Sequence, residues 1–300
     1  MSYILESIAS ILEQVVLQTN ALTRRRVQFL SREEITMNRT YVITGAGSGI
    51  GAATAKALKD LGNIVIGVDL KNSDIDADLS TPLGRHEGAK KVIETANGSI
   101  DAVIACAGLA HPTAQTVSVN YFGVTEFLFA LLPMLTKSKT PRVAITSSVA
   151  SIMPNSPELV AAMCANDETK AIEIAQALVD AGNGGEQLIY GSTKRAISRW
   201  IRQQCLKPQW AATGIPINAV GPAIVKTPMV DQIIKTPEQR EGLSALVPMP
   251  LNGFMEPETV ASLLIWLTSV ENSHVTGQTI YIDGGFERIV RGEDIWAWHK

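Results

Sequence analysis

From residue 39 onward, short β-branched runs alternate with stretches of helical periodicity. Thr40–Thr44, Ile64–Val68, Ala102–Ala105, Arg142–Thr146, Ile217–Val220 and Gln278–Ile282 read as strands. Segments 50–61, 84–96, 114–136, 190–206 and 261–268 read as helices. The strands are almost continuously apolar, the pattern of a parallel sheet covered on both faces. The alternation therefore predicts a single doubly wound α/β domain with a central parallel β-sheet and helices on both faces. The most apolar stretch, Phe127–Leu135, reads as a buried helix running into a turn at Pro133. No apolar run reaches the roughly 18 residues that a membrane span requires.

Residues 1–36 follow another pattern. Ile4, Ile8, Ile11, Leu12 and Val15 recur at helical spacing and predict an amphipathic helix, followed by Arg24-Arg25-Arg26. That segment is either an oligomerisation or docking helix or a dispensable extension, with the domain spanning residues 37–300 from Met37. At 300 residues, 46% hydrophobic and 18% charged, the composition is that of an ordinary globular protein. A net charge of −3 gives no electrostatic reason to expect nucleic acid or an anionic membrane as partner. Cys106, Cys164 and Cys205 form no paired motif, and His86, His111, His274 and His299 show no ligand spacing, so no metal is expected. The N-terminus lacks a secretory layout, and reduced thiols in a cytoplasmic protein without stable membrane insertion are expected.

Candidate chemistry sharpens this picture. Thr44-Gly-Ala-Gly-Ser-Gly-Ile-Gly51 follows the first predicted strand and opens a helix. Glycines there permit a tight turn and close backbone approach to a pyrophosphate, whose charge meets the helix N-terminus. The domain is thus of Rossmann type. Asp69 ends the second strand, where a carboxylate accepts hydrogen bonds from ribose hydroxyls and repels a 2′-phosphate, so NAD is expected over NADP. Far downstream, Tyr190 and Lys194 lie four residues apart and share one helix face. An ammonium beside a phenol favours the phenolate and makes the pair a tunable acid/base. Taken alone, the same spacing is also what a solvated helix carries.

In order and content these motifs resemble the short-chain dehydrogenases/reductases over about residues 38–286. Thr44–Gly51 resembles the family's TGxxxGxG, and Asp78-Leu79 its adenine-contacting acidic pair. Ala105-Cys106-Ala107-Gly108 stands in the place of NNAG with both asparagines replaced, and Pro222–Thr227 resembles PGxxxT with Ala223 for glycine. Asp283-Gly284-Gly285 matches the end of the final strand. The resemblance implies catalytic roles for Asn120, Ser148, Tyr190 and Lys194. Ser147 rivals Ser148, which directly precedes the hydrophobic residue of the motif. It further implies nicotinamide-cofactor contacts from Gly45, Ser48, Gly49, Ile50, Gly51, Asp69, Asp78, Leu79, Cys106, Ala107, Gly108, Tyr190, Lys194, Pro222, Ile224 and Thr227. Ser148 and Tyr190 would bind the substrate oxygen, and Tyr190 would transfer the proton. Lys194 would lower the tyrosine pKa, Asn120 would hold a relay water, and Thr227 would orient the carboxamide.

Within the family, Cys106–Leu109, Val117–Gly123 and Ser147–Ser151 resemble the bacterial 3α-hydroxysteroid dehydrogenase/carbonyl reductase subgroup. So does an insertion of roughly thirty residues before Tyr190, at about 152–186, with helix signals at Ser156-Pro157-Glu158 and at Ile172–Val179. The insertion either alters the oligomer interface or is a solvated excursion. Segment 228–255 is rich in apolar side chains, from Met229, Val230, Ile233 and Ile234 to Leu243, Leu246, Val247, Met249, Leu251, Phe254 and Met255. They either cover an apolar substrate or pack on the domain, and His111, just beyond the fourth strand, either borders the pocket or is a loop histidine with no role. The expectation is an NAD-dependent oxidoreductase for a small apolar secondary alcohol or ketone, such as a steroid, acting as a homo-oligomer. A broad carbonyl reductase and a non-catalytic cofactor sensor are the alternatives.

Overall fold

The computed structural model describes residues 39–296, residue 233 excepted. The predicted N-terminal helix and His299 lie outside the described residues, as does Ile233 of the apolar segment. Seven parallel strands form one sheet: β1 (Thr40–Thr44), β2 (Ile64–Asp69), β3 (Ile75–Asp76), β4 (Ala102–Ala105), β5 (Arg142–Thr146), β6 (Ile217–Pro222) and β7 (Thr279–Ile282). Their spatial order is β3-β2-β1-β4-β5-β6-β7. The order reverses beside β1, where β2 lies on one side and β4 on the other, opening a crevice at the carboxyl ends of the strands.

The helices are α1 (Gly49–Asp60), α2 (Pro82–Thr95), α3 (Ala114–Val117), α4 (Gly123–Leu135), α5 (Pro157–Cys164), α6 (Glu168–Asp180) and α7 (Leu188–Gln204). They continue with α8 (Pro208–Ala211), α9 (Pro228–Asp231), α10 (Pro237–Leu246), α11 (Pro257–Thr268) and α12 (Phe286–Arg291). Alternate side chains of a strand enter opposite faces. Val42 joins a core with α2, α4 and α7, whereas Tyr41 and Ile43 join Leu58 of α1 and Val260, Leu264 and Leu267 of α11.

Between α3 and α4 the chain winds through a π turn, Ser118–Phe122. Together they make a helical run of 22 residues, Ala114–Leu135, long and apolar enough by length and composition to cross a bilayer. The sequence reading, that no apolar run reaches such a length, is corrected to that extent. The run is a core layer, with Phe127, Leu128, Leu131 and Leu135 fully buried against the sheet. Pro133 lies inside α4 rather than in a turn. It sits on the exposed side, so the carbonyl that loses an amide partner remains open to water.

The inserted segment forms two capped helices instead of a loop. Ser156 accepts from the Leu159 amide at 3.2 Å, and Asp167 caps α6 by accepting from the Lys170 amide at 3.0 Å. Leu159, Val160 and Met163 of α5 and Ala171 and Ala175 of α6 are buried in the same core as α7. A solvated excursion would leave them wet, so the insertion is part of the fold.

Candidate active site

The crevice holds a cavity of about 560 Å³ running from Asp69 and Leu70, past the glycine loop, to Ser148, Tyr190 and Lys194. Its floor is shaped by the absence of side chains. A Cβ on Gly51 would stand 2.0 Å from the Gly45 carbonyl oxygen. Gly45 itself has φ +70°, and a Cβ there would meet the Ala107 amide nitrogen at 2.7 Å. The loop therefore closes tightly onto β4 and leaves the first turn of α1 facing the cavity, a cradle suited to an anionic pyrophosphate.

Asp69 is held at the far end. Its Oδ2 accepts from the Gly47 amide at 2.8 Å and its Oδ1 from the Leu70 amide at 2.6 Å. That clamp leaves further lone pairs directed at the cavity. Of the lysines and arginines, Lys194 alone lines the cavity among the described residues; Lys71 does not. A dinucleotide fits this donor set, with Asp69 at a ribose and the glycines at the phosphates.

At the other end three elements converge. Ser148 follows β5; its hydroxyl accepts from the Ala150 amide at 3.1 Å, donates to the Pro222 carbonyl at 3.5 Å and stands near enough to the Tyr190 phenol to favour its phenolate. Ser147 is turned away, donating to the Lys194 carbonyl at 3.2 Å and meeting Ser198 Oγ at 3.0 Å. The geometry thus separates the two serines: only Ser148 reaches the phenol. Lys194 Nζ donates to the Thr146 carbonyl at 2.9 Å and lies 5.7 Å from the centre of the Tyr190 ring. Burial draws its pKa down to about 8, opposed by Cys106. Burial also raises the Tyr190 pKa, with the Ser148 hydrogen bond opposing. The expected depression of the tyrosine by Lys194 is therefore outweighed, because desolvation penalises both charged forms.

Asn120 stands one layer behind the cavity. It accepts from the Leu109 amide at 2.7 Å and donates to the Leu109 carbonyl at 2.9 Å and to Thr193 Oγ1 at 3.1 Å. It ties the loop after β4 to α7, and the π turn is what aims it there. Cys106 does line the cavity, where Thr146 Oγ1 donates to its sulfur at 3.2 Å and burial pushes the thiol up to about 11.

Gly45, Ser48, Gly49, Ile50, Gly51, Asp78, Leu79, Ala107, Gly108, Pro222 and Thr227 all line the cavity. Ile224 does not. It packs against Val149, Val247 and Phe286, a cluster that Ala223 also touches while lining the cavity. His111 lines the cavity, which is the bordering position that the sequence offered for it. Of the apolar segment, Met229 and Val230 border it. Val247 and Met249 are buried, whereas Leu246 and Leu251 face solvent. Leu109, Gln115 and Val119 were missed; they follow β4 closely, the one signal that marks them as rim residues.

Residues 45–287 match a family model described as enoyl-(acyl carrier protein) reductase. The chain belongs to the short-chain dehydrogenases/reductases. It is 35% identical to the 3α-hydroxysteroid dehydrogenase/carbonyl reductase of Comamonas testosteroni, over 83% of this chain and 97% of the relative. It is 28% identical to a 3-oxoacyl-[acyl-carrier-protein] reductase of Thermotoga maritima, over 82% of this chain and 97% of the relative. The crystal structure of the 3α-hydroxysteroid dehydrogenase of Pseudomonas sp. B-0831 complexed with NADH superposes with a TM-score of 0.78 at 34% identity. That match covers 85% of this chain and 100% of the other. The family's oxidoreductase chemistry on CH–OH groups, with a nicotinamide cofactor, is therefore that of this chain.

Proposed function

We propose that the protein interconverts a secondary alcohol and a ketone with NAD(H), acting on hydroxysteroids or comparable bulky apolar carbonyl compounds. The observation that carries this reading is the convergence of Ser148, Tyr190 and Lys194 on one end of a cavity whose wall is formed by the glycine loop. Asp69 at the opposite end favours an unphosphorylated ribose. Bound there, the cofactor supplies the hydride donor or acceptor at the substrate carbon. Ser148 and Tyr190 line that end together, and their hydroxyls polarise the carbonyl oxygen of a bound substrate. Tyr190, kept protonated by burial, delivers its proton to that oxygen during reduction, and Lys194 offsets the phenolate left behind. Leu109, Val119, Met229 and Val230 give the substrate end an apolar lining. The two similar hydroxysteroid dehydrogenases support the steroid class.

Purified protein is assayed with a panel of 3α-hydroxysteroids, simple secondary alcohols and ketones, using NAD(H) and NADP(H). Steroid turnover with NAD(H) preferred supports the proposal. Tyr190→Phe is expected to lower kcat by about 10²–10⁴-fold with NADH affinity retained. Turnover of small ketones alone would reduce the reading to a broad carbonyl reductase. NADH binding without any turnover would make the chain a sensor, and preference for NADP would remove the role given to Asp69.

A further inference from the structure

Arg85 of α2 is a charged side chain with only 2% of its surface exposed, outside the site described above. Its guanidinium is held in a bidentate pair with Glu168, Nη1 to Oε2 at 2.7 Å and Nη2 to Oε1 at 2.6 Å. Nη1 also donates to Glu126 of α4 at 3.0 Å. Three backbone carbonyls take the remaining capacity: Leu79 from Nε at 2.9 Å, Ser80 at 3.2 Å and Ser118 at 3.1 Å, both from Nη2.

Each partner belongs to a different functional part. Leu79 follows Asp78 in the cavity wall, so Arg85 fixes the carbonyl of a lining residue. Ser118 opens the π turn that carries Asn120, and its carbonyl also accepts from the Gly123 amide that closes the turn. Glu168 is the first residue of α6, in the inserted segment. An arginine fork matches one carboxylate orientation and loses that selectivity if α6 shifts. Loss of Glu168 would leave the buried guanidinium with Glu126 as its one carboxylate partner, a costly change that favours the docked position of α6.

We infer that Arg85 is a positioning residue, and that its pair with Glu168 couples the docking of the inserted helix to the Asp78–Leu79 wall and to the Asn120 turn. The insertion then serves cofactor binding directly. The inference rests on the reading of the cavity as a dinucleotide site.

The test compares wild type, Glu168→Gln, Arg85→Lys and Arg85→Met by NADH fluorescence titration, kcat, and amide exchange of residues 168–180 with and without NADH. Wild type is expected to bind NADH and to gain protection in α6 on binding, since coupling between sites is reciprocal. Glu168→Gln is expected to weaken NADH at least about fivefold and to lose the added protection. Arg85→Lys keeps the charge but loses the fork and is expected to fail as a rescue. Should Arg85→Met not fold, the other two variants decide. A lowered melting temperature in Glu168→Gln with unchanged NADH affinity and unchanged α6 protection would mean a structural ion pair and overturn the coupling. Failure of wild type itself to bind NADH would instead overturn the dinucleotide reading, and the coupling with it.

Discussion

At Lys194, function and stability pull in opposite directions. The ammonium is buried with one carbonyl partner, and its pKa falls from 10.5 to about 8. The folded chain thus binds this proton more weakly than the unfolded chain does. Between about pH 8 and 10.5 the unfolded state holds the extra proton, so stability from this group rises with pH, and below about 8 its full cost applies. That cost is about 3 kcal/mol. Lys194→Met is therefore expected to stabilise the cofactor-free protein at pH 7 by up to about 3 kcal/mol while abolishing turnover, the gain shrinking as pH approaches 10.5. Denaturant unfolding at pH 7 and pH 9.5 checks the sign. Carbonyl reduction by wild type is correspondingly expected to be flat near neutrality and to decline as pH rises through about 8, where the ammonium is lost. Spacing in the sequence makes the Tyr190–Lys194 pair legible, because i and i+4 meet on any helix. Which influence on the phenol wins is not legible, since burial depends on residues brought together from β5 and α7.

At the scale of elements, the tight start of α1 carries the cofactor end. Gly51→Ala would place a methyl 2.0 Å from the Gly45 carbonyl carried on the same loop, and backbone on both sides leaves nothing soft to yield. The variant is expected to lose NADH binding by more than about tenfold and to destabilise the domain by about 1–3 kcal/mol. Titration with NADH and thermal unfolding measure both. The strand–glycine–helix order was readable because strands here are short, apolar and β-branched while the loop from Gly45 to Gly49 holds only Gly, Ala and Ser. Three features were not readable. The two-residue β3 has too little sequence to show alternation. The π turn has no periodic signature, yet it aims Asn120 at Leu109 and Thr193. Arg85 looks like a surface residue of α2 until α4 and α6 close over it, since long-range ion pairing leaves no local trace. The insertion showed its helix caps, whereas its place in the core depended on Leu159 and Met163 meeting α7.

For the whole molecule, the sheet, the cavity lining and the Arg85 network all lie between residues 39 and 296. Cofactor bound in the crevice would touch the loops after β1, β2, β4 and β6 together, so binding stabilises the fold as one body. At a hundred times its dissociation constant, NADH adds about 2.7 kcal/mol to such a body. For a domain of this size that raises the melting temperature by roughly 5–10 °C. A chain starting at Met37 is expected to show the same rise as the full chain, with kcat/KM within about twofold. The comparison requires matched protein concentration, because an oligomer couples melting temperature to concentration. Equal shifts with equal turnover would make residues 1–36 dispensable for catalysis. A truncated chain that melts lower only at low concentration, and whose turnover falls with dilution, would instead assign the first segment to subunit association.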